Sequence, residues 1–238
     1  IHAASRIANA LTDVGFGVLR FDFTGLGMSD GEFANTDFTS NTDDLVAAAD
    51  WLRTNHRAPQ VLIGHSLGGS AVLAVAGSIA EVRAVATIGA PSSTEHVTRL
   101  FSPSLEQLES DGSAEVQLAG RTFTIRQQFV DDLRDHLVTD RVAAMRTALL
   151  VLHSPIDNTV GIDNAAEIFL AARHPKSFVS LDGADHLLSG VSDAEFAASM
   201  IGAFANRYVV DESGARDAPR PTAPVVVAET SQGAFLNH

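Results

Sequence analysis

The sequence predicts an α/β fold with a mostly parallel central sheet and helices on both of its faces. Three observations carry that prediction. Short apolar runs, among them VLRFDF at 18–23, QVLIG at 60–64 and LLVLH at 149–153, lack the strict alternation of half-exposed strands. Stretches with helical spacing of apolar residues separate these runs, as a parallel sheet requires. Hydrophobic residues make up 45% and charged residues 19% of the 238, which is material for one sizeable core.

The elements follow in order. Residues 2–13 read as a helix, with Ile7, Ala8, Ala10, Leu11 and Val14 in helical spacing and Gly15 and Gly17 ending it. Residues 18–23 are a strand leading into a glycine-rich loop at 25–31. Residues 40–55 read as an amphipathic helix, with Leu45, Ala48, Ala49 and Leu52 on one face and Asn41 or Ser40 as N-cap. The strand at 60–64 precedes a run of small residues at 67–77 suited to a closely packed helix. Strands at 84–89, 149–153 and 177–181 then combine with helices at 163–172 and 193–208.

The section 92–145 interrupts this rhythm. It carries Glu106, Glu109 and Asp111, then VQL-AGR-TFTI, which reads as a hairpin. A charged helix at 131–141, with Asp131, Asp132, Arg134 and Asp135, reads as a solvated face. An insertion of about 50 residues between two sheet strands is expected to form a lid over the strand ends. From 211 the composition changes: DESGARDAPRPTAP holds three of the eight prolines and reads as an extended linker. VVVAETSQGAF then reads as the opening strand of a further unit that is cut off. The expected organisation is a main domain at 1–209, a linker at 210–224 and a truncated start at 225–238.

Charge and composition exclude several classes. Acidic residues number 29 against 16 basic, for a net charge of −13, so there is no basic excess to displace counterions from a nucleic acid. The chain has no cysteine, which removes disulfides, iron–sulfur clusters and thiolate zinc sites. No apolar run approaches the roughly 20 residues of a membrane span. Nothing resembles a signal peptide, and the expected compartment is the cytoplasm.

The sharpest chemical signal is Gly64-His65-Ser66-Leu67-Gly68-Gly69, at a predicted strand end and helix start. Turning from strand to helix at one residue strains the backbone of Ser66, and side chains at 64 or 68 would collide. The turn raises the hydroxyl clear of the sheet, among N–H groups of the helix start. A serine nucleophile needs a base and an orienting acid, expected in the order serine, acid, histidine, each after a strand. Asp157 follows LLVLH and His186 follows SFVSL, as that order requires. Asp182, Asp185 and Asp163 are rival acids. Asp185 adjoins His186, where side chains rarely converge, so it reads as loop support, and Asp163 reads as a helix N-cap.

These residues carry a resemblance. The order Ser66, Asp157, His186, the GHSLGG turn and the stretch Asp22-Phe23-Thr24-Gly25-Leu26-Gly27-Met28-Ser29 resemble the α/β-hydrolase superfamily. That last stretch is similar to a D-x-R-G-x-G-x-S turn, with Thr24 where arginine is common. RFDFTGLGMSDGEFANTDFTSN, GHSLGGSAVL and the inserted section resemble the hydrolase half of fused α/β-hydrolase–OsmC proteins, and VVVAETSQGAF resembles the first strand of the OsmC domain. The resemblance implies that the backbone N–H of Leu67 is one oxyanion donor. It places the second donor in a loop upstream of Ile1. The cysteine-bearing part of an OsmC domain is absent from the sequence, so no peroxidase activity is assigned.

Other candidates yield to simpler readings. Gly25-Leu26-Gly27 lacks the third glycine of a nucleotide loop, since Asp30 stands there. His96, His136 and His174 are scattered among charged residues without metal-ligand spacing, and read as surface histidines. His65 and His153 read as packing residues that would otherwise line the pocket. Phe101, Leu105 and Leu108 read as the seal of the lid. The expected function is therefore that of a serine hydrolase cleaving a small uncharged acyl ester or related carbonyl, without metal or organic cofactor. Ser66 is the expected nucleophile, His186 the base and Asp157 the acid. Dienelactone or peptide hydrolysis, acyl transfer, and a non-catalytic role beside an OsmC domain are the alternatives. Expected partners are a small-molecule acyl substrate, a second copy of the chain and a fused OsmC-type domain, with no nucleic acid among them.

Overall fold

Two of the apolar runs that lack alternation, at 61–64 and 149–153, are buried throughout, whereas the run at 18–23 is half-buried with Arg20 exposed. The computed structural model describes residues 2–93, 104–118, 121–135, 138–209 and 224–229. Helix α1 (His2–Asp13) leads to β1 (Gly17–Asp22), and α2 (Phe38–Asn55) leads to β2 (Val61–His65). Helix α3 (Leu67–Val75) and β3 (Ala84–Ile88) follow. The inserted section holds α4 (Leu105–Asp111), β4 (Ser113–Leu118), β5 (Arg121–Arg126), α5 (Gln127–Asp135) and α6 (Val138–Ala144). Then come β6 (Ala148–His153), α7 (Asp163–Ala171), β7 (Lys176–Ser180), α8 (Val191–Ala205) and β8 (Pro224–Glu229).

Six strands form one sheet in the order β1-β8-β2-β3-β6-β7, and every pairing in it is parallel. Every residue of β2, β3 and β6 is buried, which is why their sequences are mainly apolar, with Thr87, His65 and His153 the buried polar exceptions. Strand β7 lies at the edge and none of its residues is fully buried, with Phe178 half exposed. Helices cover both faces. Side chains of α2, α3 and α7 build one apolar layer, and those of α1 and α8 the other. Strand β8, which spans the expected junction of linker and further unit at 224/225, runs between β1 and β2, with Val226 opposite Leu19 and Leu62 and fully buried.

Three local expectations change. The cap of α2 is Asp37, one turn earlier than Ser40 or Asn41: its carboxylate accepts from the Ser40 amide at 2.7 Å, and the Ser40 hydroxyl accepts from the Asp37 amide at 2.9 Å. Two orphan donors are satisfied reciprocally, and Asn41 turns inward. Asp163 opens α7 without capping it, Ile162 holding the cap position with no side-chain bond. The charged helix expected at 131–141 is two helices, α5 and α6. Its charges conceal an apolar stripe: Phe129, Val130, Leu133 and Val142 are buried in the same layer as α2 and α3.

The inserted section packs onto the sheet layer along a defined seam. The hairpin β4–β5 pairs antiparallel from Ser113↔Arg126 to Leu118↔Arg121. Phe33 meets Phe123 edge-on at 5.6 Å and Phe129 at 5.8 Å. The Asp132 carboxylate accepts from the Thr39 amide and hydroxyl, both at 2.7 Å, at the start of α2. Ser92 ties the start of the insertion to α7, its amide donating to Asn164 Oδ1 at 2.9 Å.

Candidate active site

Ser66 is the single residue between β2 and α3, and its backbone records the sharpness of the turn: φ 53° and ψ −128°. A non-glycine residue in this region costs about 1–3 kcal/mol, which the surroundings must supply. Two observations explain how the turn persists. The Ser66 amide donates to Ile88 O at 2.9 Å, fixing the turn to the neighbouring strand end. A Cβ at Gly64 would lie 2.2 Å from the Gly68 carbonyl oxygen, so helix and strand approach only because that side chain is missing. Leu67 opens α3, so its N–H belongs to the first turn, whose donors lack an intrahelical acceptor.

His186 and Asp157 reach the same place from two other strand ends. His186, on the loop after β7, has Nε2 at 3.0 Å from Ser66 Oγ and Nδ1 at 2.7 Å from Asp157 Oδ2. The Asp157 carboxylate, on the loop after β6, also accepts at Oδ1 from the amides of Thr159 at 2.8 Å and Val160 at 2.9 Å. Its side chain is 2% exposed and that of His186 8%. Burial works to raise the Asp157 carboxyl, but the bonds from His186, Val160 and Thr159 outweigh it and hold the group below its usual range. An ionised carboxylate therefore faces His186 Nδ1, and the hydroxyl faces Nε2. The rival acids point elsewhere: Asp182 accepts from the Ser180 hydroxyl, and Asp185 Oδ1 accepts from the Ser189 amide at 2.8 Å.

Features beneath these three side chains escape a reading of the sequence. Gly89, just after β3, has φ +54°, and a Cβ there would sit 3.3 Å from Asp157 Oδ2 and 3.4 Å from His186 Nδ1. Its only sequence signal is a glycine directly after a fully buried strand. His65 and His153 do not face an open pocket. His65 is 7% and His153 1% exposed, and each donates Nε2–H to a main-chain carbonyl at 2.7 Å, that of His186 and that of Val160. Burial keeps both rings neutral: it pushes His65 down to about 4 and lowers His153.

The remaining sequence candidates are structural. Asp22 Oδ2 accepts from the Met28 amide at 3.0 Å, closing the glycine-rich loop, and the amide and hydroxyl of Thr24 donate to the Asp44 carboxylate of α2 at 2.8 and 3.0 Å. His174 is exposed, while His96, His136 and Phe101 lie outside the described residues. Leu108 is buried and Leu105 partly buried in the sheet layer. Among the described residues no cluster of three or more His, Cys, Asp or Glu is placed to hold a metal, and no helix is long and apolar enough to cross a membrane.

Comparison with known proteins bears on the family of the chain. The Hydrolase_4 family, described as serine aminopeptidase, S33, matches residues 1–111. A solved structure described as the esterase domain of a Rhodothermus marinus protein is 51% identical, covering 87% of this chain and 80% of that one with a TM-score of 0.73. The chain belongs to the α/β-hydrolase superfamily. Mouse α/β hydrolase domain-containing protein 10 shares the α/β-hydrolase fold at 21% identity, covering 86% of this chain and 84% of that one with a TM-score of 0.72. A rat protein named palmitoyl-protein thioesterase ABHD10, mitochondrial, is 27% identical over 154 residues, 62% of this α/β-hydrolase chain. The chain spans about half the length of the curated thioesterases it matches.

Proposed function

We propose that this α/β-hydrolase is a serine hydrolase that cleaves small uncharged acyl esters through an acyl-enzyme. The observation that carries the reading is His186 bridging Ser66 Oγ at 3.0 Å and Asp157 Oδ2 at 2.7 Å. The hydroxyl oxygen of Ser66 attacks the ester carbonyl carbon while its proton passes to His186 Nε2. Asp157 orients the ring through Nδ1–H and stabilises its cationic form. The Leu67 N–H supports the oxyanion that develops. Collapse expels the alcohol, which takes the proton from His186, and water repeats the sequence to release the acid.

A second acyl class is favoured by one observation: three of the curated matches are palmitoyl-protein thioesterases, at 25–27% identity. The same attack cleaves a thioester, whose thiolate leaves more readily than an alkoxide. Turnover of p-nitrophenyl esters from C2 to C12, set beside acyl thioesters of the same lengths, separates the two. The reaction class itself is tested by Ser66→Ala, expected to abolish ester turnover and fluorophosphonate labelling with an unchanged helical CD spectrum. Turnover retained in that variant moves the nucleophile elsewhere.

A further inference from the structure

Strand order poses a geometric problem for the base. Ser66 stands at the end of β2, whereas His186 follows β7, with β3 and β6 lying between those strands. At roughly 4.8 Å per strand, the His186 loop reaches back about 14 Å across the sheet to meet the hydroxyl. Near its tip the loop is held to itself, by Leu188 N–H to Asp185 O at 3.1 Å and Ser189 N–H to Asp185 Oδ1 at 2.8 Å, and to α1 by an exposed bond from Arg6 Nη1 to Ser189 O at 3.3 Å. Bonds of that kind shape a loop but do not set its height over a distant strand.

His65 bonds the loop directly to the strand end that carries Ser66. It adjoins Ser66 in sequence, and strand alternation turns its side chain away from the face where Gly64 meets α3. Its Nε2 lies 2.7 Å from the main-chain carbonyl oxygen of His186. Because a carbonyl only accepts, Nε2 carries the hydrogen and Nδ1 is bare; Nδ1 is buried and has no partner among the described residues. The two rings also pack, with centroids 5.1 Å apart and planes inclined by 40°.

We propose that His65 is a positioning residue, whose Nε2–H bond to the His186 carbonyl registers the proposed base directly against the strand end that carries Ser66. This rests on the Ser66–His186–Asp157 reading above. The bond bypasses two intervening strands, so small displacements of β6 and β7 do not accumulate in the distance from Nε2 to Oγ. The ring must be neutral to serve. A second cation beside His186 would oppose the imidazolium that forms when the serine proton is taken, and burial holds His65 down to about 4. A long flexible donor such as lysine would bring both the charge and the freedom that the site excludes.

The test uses two substitutions in the full chain, with Ser66→Ala alongside. His65→Phe keeps a ring of similar bulk against His186 and removes the donor. His65→Gln keeps an N–H at nearly the same reach and removes the ring. The expected result is a fall in kcat of about 10- to 100-fold for His65→Phe with KM within about twofold, since a misplacement near 1 Å costs on that order. His65→Gln is expected to recover kcat to within about threefold of the parent. Full kcat in His65→Phe, or equal loss in both variants, overturns the proposal, the second outcome meaning that ring shape and not the donor matters. An active Ser66→Ala overturns the site reading and the proposal with it, whereas an inert Ser66→Ala beside a fully active His65→Phe overturns the proposal alone. Should neither His65 variant fold, nitrogen NMR of the parent imidazoles decides. A neutral Nε2–H form of His65 at pH 7 with a slowly exchanging proton supports the bond, and an Nδ1–H or charged form overturns it.

Discussion

The carboxyl end of the sheet and the inserted section differ in what holds them. At the sheet end, main-chain groups and missing side chains set the positions. The Ser66 amide bonds Ile88 O, two amides clasp Asp157, and Gly64 and Gly89 leave room where a Cβ would strike. In the inserted section, position comes from apolar side chains added to an existing layer, sealed at its rim by Asp132 on Thr39 and by Gln128 Nε2 donating to Asn35 O at 3.1 Å. Groups of the first kind tolerate almost no displacement; those of the second slide and repack at modest cost. The proposed chemistry therefore fits the sheet end better than the insertion.

Substitutions ordered by expected effect probe that contrast. Ser66→Ala should lower kcat by about 10⁴-fold or more with little change in melting temperature. Asp157→Asn should cost about 10³- to 10⁴-fold, because the imidazole loses its charge partner and its favoured tautomer. Asp182→Asn and Asp185→Asn should stay within a few-fold, as their carboxylates serve Ser180 and the Ser189 amide; a crippled Asp182→Asn enzyme would demote Asp157 to a loop residue.

Gly89→Ala puts a methyl against both Asp157 and His186 at a position with φ +54°. Expected losses are about tenfold or more in kcat and about 1–2 kcal/mol in stability, measured by steady-state kinetics and urea unfolding. Normal activity there would mean that the sheet end yields as easily as the insertion.

Acid should act on the sheet end before the insertion. His65 has its ring pushed from 6.5 in the unfolded chain to about 4 in the folded one. The unfolded state therefore binds the proton more readily, and stability falls as pH drops from about 6.5 to about 4 and levels off below that. The lowered Asp157 carboxyl adds a further loss at still lower pH, as it is protonated in the folded state. The His65 contribution is at most about 3 kcal/mol, and His65→Gln should flatten the curve between pH 7 and 4.5 in urea midpoints. An unchanged pH dependence in that variant would mean that His65 is not a buried neutral ring.

The smallest effect belongs to the insertion. Asp132→Ala removes two hydrogen bonds at the seam, at a cost of about 1 kcal/mol in stability. Turnover of a short acyl ester should stay within about twofold of the parent, because the bonds removed run to Thr39 at the start of α2 and not to Ser66, His186 or Asp157. A large fall in kcat on acetate esters would erase the division between the two regions.

The sequence by itself determined the parallel sheet, the turn at Ser66, and the two strand-end loops that hold Asp157 and His186. Each of these depends on a few adjacent residues: an apolar run without alternation, a Gly-x-Ser-x-Gly turn, an aspartate or histidine a few positions past a strand. Local rules sufficed because the physical constraint is local, steric in the turn and apolar in the strand. Tertiary structure alone decided the rest. The bond from His65 to the His186 carbonyl joins residues 121 positions apart, and that from Thr39 to Asp132 joins residues 93 apart. The charges of α5 hide the stripe of Phe129, Val130 and Leu133, and nothing in AVATIG announces that a Cβ at Gly89 would crowd Asp157 and His186. A contact between distant segments depends on where strand order brings their ends, and strand order is set by the free energy of the whole packed sheet rather than by any one of its segments.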